Sequence, residues 1–125
     1  MKYLILLVAL FVTSLAHADT ALVTIIGKEV KLTWDPVTKN TDGTNVTLGG
    51  YKIYYGTTSR VYTGVRDVAN MTLYKMSFAN YGPEYFAVKC YNNVGVLSEF
   101  SNEVGALLSA PSSPQTPTNL VSMPP

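Results

Sequence analysis

The side chains that could do chemistry are carboxylates, hydroxyls, amines and a single thiol. Carboxylates stand at Asp19, Glu29, Asp35, Asp42, Asp67, Glu84, Glu99 and Glu103. Glycoside hydrolysis needs two of them facing one bond, roughly 5–10 Å apart. Hydrophobic alternation along the chain puts these groups on outward faces and in loops, where water solvates them. A Ser, Thr or Cys nucleophile needs a neighbouring base. The one histidine, His17, lies in a segment expected to be removed, and nothing positions a lysine for the task. Asn40-Thr41-Asp42-Gly43-Thr44-Asn45 has the oxygen-rich look of a calcium loop, but lacks the downstream glutamate at EF-hand spacing. It reads as a polar connection between strands. One cysteine, Cys90, excludes an intramolecular disulfide and a His/Cys zinc site. No catalytic residue, metal or cofactor is expected.

Tyrosine is the residue type in excess, nine in the chain. Alternation turns Tyr51, Tyr55 and Tyr74 inward, as core. It turns Tyr54, Tyr85 and Tyr91 outward, with Lys52 and Lys89 beside them. Exposed tyrosines suit recognition because they add contact area at low entropic cost. They also favour strands and cover sheet faces with no partner involved. These five residues are the candidate partner-binding set. The sequons Asn45-Val46-Thr47 and Asn70-Met71-Thr72 would accept a glycan only in a eukaryotic secretory pathway.

The elements that carry these residues begin with a leader. Met1-Lys2 is followed by an apolar run from Tyr3 to Leu15 and then by Ala16-His17-Ala18, a small-x-small pattern. The run is shorter than the ~20 residues a bilayer span requires. Residues 1–18 therefore read as a cleaved signal peptide, with Asp19 as the mature start, a secreted or periplasmic product, and no membrane span after cleavage. Nine Lys and Arg stand against eight Asp and Glu. Loss of Lys2 makes the two equal, so no basic field remains for nucleic acid or an anionic membrane surface.

The body alternates with a period of two. Val30, Leu32 and Trp34 share one face, as do Tyr51, Ile53 and Tyr55. So do Tyr74, Met76 and Phe78, and likewise Phe86, Val88 and Cys90. That face makes Cys90 an inert, buried small hydrophobe. Weaker strands are expected at Leu22–Ile26, Tyr62–Val68 and Ser101–Leu107. Turn signals stand at Asp42-Gly43, Gly49-Gly50, Asn80-Tyr81-Gly82-Pro83 and Asn92-Asn93-Val94-Gly95. About seven short strands so spaced fit an all-β, two-sheet antiparallel sandwich over residues 19–108. Residues 109–125 hold five of the seven prolines and no charge, which is the composition of an extended linker or tail.

Four stretches in order resemble a fibronectin type III domain, in the version common in microbial secreted proteins. Val30-Lys31-Leu32-Thr33-Trp34-Asp35-Pro36 is similar to that family's second strand with its core tryptophan. Gly50-Tyr51-Lys52-Ile53-Tyr54-Tyr55-Gly56-Thr57 is similar to the third, and Tyr85-Phe86-Ala87-Val88-Lys89-Cys90-Tyr91-Asn92 to the sixth. Ser101-Asn102-Glu103-Val104 is similar to the approach to the last. The resemblance implies an immunoglobulin-like sandwich. The family's corner tyrosine is replaced here by Glu84, leaving Tyr81 or Tyr85 to pin that corner, or a looser corner. Its proline-rich first strand is missing, and there is no Arg-Gly-Asp tripeptide to carry adhesion. The leading reading is a non-catalytic secreted interaction or spacer module. The alternatives are a carbohydrate- or protein-binding module acting through the outward tyrosines, and a subunit of an extracellular assembly that pairs through an exposed edge strand.

Overall fold

The computed structural model describes residues 20–125 and, as backbone, residues 5–8. The Ala16-His17-Ala18 pattern lies outside the described residues. Among the described residues eight strands follow one another: β1 (Ile5–Val8), β2 (Leu22–Ile26), β3 (Glu29–Trp34), β4 (Leu48–Gly56), β5 (Gly64–Asp67), β6 (Leu73–Ser77), β7 (Gly82–Asn92) and β8 (Val104–Ser109). They form a three-stranded sheet in the order β1-β3-β6 and a five-stranded sheet in the order β2-β8-β7-β4-β5. Pairing is antiparallel except at β1–β3 and β2–β8, which are parallel. The molecule is an all-β, two-sheet sandwich of immunoglobulin-like architecture. Among the described residues no helix is long and apolar enough to cross a membrane.

The alternating faces close on each other. Val30, Leu32 and Trp34 of β3 and Met76 of β6 meet Tyr51 and Ile53 of β4, Phe86, Val88 and Cys90 of β7, and Ala106 and Leu108 of β8. Each large apolar side chain removed from water stabilises the fold by about 1.5–3 kcal/mol. Aromatic rings meet edge to face in the core and at its rim. Trp34 and Tyr51 centroids are 5.5 Å apart, and Phe78 lies 6.0 Å from Tyr55 and 5.8 Å from Phe86. Tyr55, Tyr74 and Phe78 pack on the core from its rim, partly buried.

Several expectations are corrected. Gly49-Gly50 is not a turn but the start of β4, with a register shift between Leu48 and Gly50. The Tyr91 side chain lies so close over this backbone that a Cβ on Gly49 would stand 2.8 Å from its ring, and one on Gly50 2.6 Å from its hydroxyl. The last strand begins and ends later than expected. Ser109 belongs to it, in register with Ile26, and accepts the Gly27 amide at 2.9 Å. The partner strand β2 carries the ladder past the point where the sequence turns polar. The extended tail thus starts at residue 110 and is exposed to its end. Glu84 does not face outward. It shares the parity of Phe86, opposite Ala106, and its Oε2 is buried with no hydrogen-bond partner among the described residues. Burial raises its carboxyl above the usual glutamate range. At the Asn40–Asn45 run the Asp42 carboxylate is spent on its own turn. Its Oδ1 accepts the Thr44 hydroxyl at 2.6 Å and the Thr44 amide at 3.0 Å, and these bonds lower its pKa.

Candidate partner-binding face

The outward surface of the five-stranded sheet carries all five candidate residues, set by the β4–β7 register. Gly56 is opposite Tyr85, Tyr54 opposite Ala87, Lys52 opposite Lys89, and Gly50 opposite Tyr91. Tyr85 and Tyr91 are six residues apart on one strand, roughly 20 Å at ~3.4 Å per residue. The set is therefore a stripe, and its members belong to different neighbourhoods.

At the middle of the stripe Tyr54 meets two rings the sequence did not flag. Phe100 lies 5.0 Å away at 87°, and Tyr62 lies 6.3 Å away at 60°. Phe100 and Tyr62 are themselves 5.2 Å apart. The Lys89 ammonium stands 4.2 Å from the Phe100 centroid and 5.7 Å from that of Tyr54, a cation–π arrangement. Beneath this cluster Ala87 is 0% exposed, on the side that alternation alone would give to water. Tyr54 is thus part of a small second core. Further along, the Tyr91 hydroxyl donates to both Asp67 oxygens at 2.9 and 3.0 Å, with the Lys52 ammonium 5.6 Å from the Tyr91 ring. The Ala69 amide and the Tyr91 hydroxyl hold Asp67 below the usual aspartate range. Tyr85 stands apart from both groups, against Gly105.

Glu103 forms a further node. Its Oε1 accepts the Thr20 hydroxyl at 2.7 Å and the Ser59 hydroxyl at 2.5 Å. Its Oε2 accepts the Arg60 amide at 2.6 Å and the Tyr62 hydroxyl at 2.5 Å. Burial pushes this carboxyl up, but the four donors outweigh it, and its pKa falls below the ordinary value. Burial and the Glu103 bond raise the Tyr62 phenol well above its usual range. The node fastens the β4–β5 turn, where Arg60 holds a left-handed φ of 61°, to the start of β8. Four donors from two distant stretches, Thr20 and the turn at residues 59–62, converge here, which no spacing rule in the sequence signals.

The β7–β8 connection shapes the end of the stripe. Asn92 Oδ1 accepts the Val94 amide at 3.1 Å and the Val96 amide at 2.8 Å. The Ser98 and Ser101 hydroxyls accept the Cys90 and Val88 amides at 3.0 and 2.9 Å, standing in for a strand that has not yet begun. The loop so fixed exposes apolar groups: Val94 is 77% exposed, Val96 63%, Leu97 42% and Phe100 39%. Together with the β3–β4 loop it walls a cleft of about 320 Å³, lined by Val37, Leu48, Cys90, Tyr91, Leu97 and Phe100 among others.

No family model matches the chain, and no curated protein matches it. Among solved structures, the chain is similar to the third fibronectin III domain of human KIAA0343 protein, determined in solution. The two are 18% identical over 84% of this chain and 98% of that one, with a TM-score of 0.48.

Proposed function

We propose that the chain is a non-catalytic, exported interaction module that binds a protein partner at the end of the sandwich where the β7–β8 loop, the cleft and the Tyr91 end of the stripe meet. One observation carries this reading. The exposed apolar residues Val94, Val96, Leu97 and Phe100 fall in one hydrogen-bonded loop, instead of being scattered singly over the surface. A contiguous apolar rim beside polar and cationic groups is the usual mark of an interaction site. A glycan-stacking reading gains less support, because Tyr54 is already engaged by Tyr62, Phe100 and Lys89. The Pro-rich tail serves as a spacer.

The test compares the exported protein with a Val96→Ser/Leu97→Ser variant. Melting temperature, binding on a glycan array and affinity for proteins captured from the source cells are measured on both. Loss of roughly thirtyfold in affinity for a specific protein, at unchanged melting temperature, is expected of anchor residues. An unchanged partner set removes the loop from the site.

A further inference from the structure

We propose that the outer edge of β3 becomes a docking site once residues 1–18 are removed, and that it takes one extended segment of a partner protein as a parallel strand. The site rests on the export reading above and adds to it a second surface and a partner chemistry. In the full chain that edge is filled by Ile5–Val8. Ile5 is in register with Lys31, Leu6 with Leu32, Leu7 with Thr33 and Val8 with Trp34. These are residues of the apolar leader run itself. Cleavage leaves β3 with β6 as its sheet neighbour. The strand that could have closed the gap, β2, is committed to the other sheet through five register pairs with β8.

The backbone chemistry of the edge follows from hydrogen bonds on the far side. Trp34 donates its amide to Thr72, and the Lys28 carbonyl accepts the Phe78 amide, so even-numbered positions address β6. Alternation along an antiparallel strand then turns the N–H and C=O groups of residues 29, 31 and 33 toward the β1 side. Such a row is a template for another strand. The side chains define the occupant. Leu32 and Trp34 face the core, so the positions registered with them must be apolar. Lys31 stands on the face opposite Val30 and Leu32, so an acidic residue is favoured in register with it. The chain's own tail contains no charged residue and lacks that match. The partner segment thus reads acidic, apolar, any, apolar, with no proline at the apolar positions. Main-chain bonds supply affinity and the alternate side chains supply selectivity.

The experiment expresses the full chain for export and determines the mass of the product. Hydrogen exchange is then followed with a ten-residue peptide carrying Glu-Leu-Thr-Val at its centre, and with the same peptide N-methylated at the leucine, which deletes one strand donor. The expected product starts at Asp19, and its Lys31 and Thr33 amides exchange at least about tenfold more slowly with the first peptide but not with the second. A product starting at Asp19 with no such protection overturns the docking site and leaves the export reading standing. A product that retains residues 1–18 overturns the export reading, and the site with it. Amides already protected in a product larger than a monomer assign the edge to a second copy and overturn the partner segment.

Discussion

The Tyr51 hydroxyl accepts the Val37 amide at 2.8 Å, across the opening between the start of β4 and the loop that leaves β3. The same ring lies edge-on to Trp34. One buried side chain therefore packs the core and also fixes a wall of the cleft. The resemblance read from the sequence implies a hydroxyl pin at the corner into β7, where Glu84 stands. Here a tyrosine fastens a different loop, while the corner position holds a carboxyl with a buried, unpartnered oxygen.

Tyr51→Phe keeps the packing and leaves the Val37 amide without its acceptor. An unsatisfied donor of this kind costs about 1–3 kcal/mol. For a domain of this size each kcal/mol lowers the melting temperature by roughly 4–8 °C. Thermal melting and exchange at the Val37 amide measure it. A melting point equal to the parent's means the loop is held by other bonds.

Glu103 should make stability depend on pH on the acid side. Its folded pKa lies below the ordinary 4.5, so its contribution is complete above 4.5 and is lost as pH falls through the folded value. Glu103→Gln should melt lower than the parent at pH 7, and the gap should narrow progressively below pH 4.5. A gap that is constant with pH would mean that shape, not charge, matters at this node.

Glu84 has the opposite sign. Its folded pKa is raised by burial, so the folded chain holds the proton more tightly than the unfolded one. That contribution is complete below the ordinary 4.5 and is lost as pH rises through the folded value. Glu84→Gln, which removes the charge, should melt higher than the parent at pH 7 and close to it at pH 4. Equal melting points at both pH values would show that the carboxylate stays hydrated.

Residues 110–125 are exposed and outside every strand. Deleting them should leave the melting temperature unchanged, whereas a deletion that also takes Ser109 removes the acceptor of the Gly27 amide and should lower it. Differential scanning calorimetry on the two truncations separates them.

The faces of β3, β4 and β7 were legible in the sequence because a strand's period of two is a local property. Val30, Leu32, Trp34, Tyr51, Ile53, Phe86, Val88 and Cys90 are all buried as their alternation requires. What the sequence did not reveal depends on residues meeting across long separations. Phe100 sits in a loop with no periodicity, yet it and Tyr62 cover Tyr54. Glu103 is one carboxylate among eight acidic residues until Thr20, Ser59, Arg60 and Tyr62 converge on it. Gly49-Gly50 looked like a turn because the need for bare backbone comes from Tyr91, some forty positions away. The five candidate residues do share one sheet face, as alternation implied, but the register spreads them along it.

The parallel pairing of β2 with β8 bears on how the chain carries load. Leu22, where the chain enters β2, is in register with Gly105, and Ile26 with Ser109, where it leaves β8. Tension applied through residue 20 and through the tail therefore pulls the two strands lengthwise past one another. The evenly spaced bonds of a parallel ladder then resist together, in shear, and do not peel apart one at a time. A chain anchored at one end and tethered by its proline-rich tail at the other would present its strongest direction to the pull.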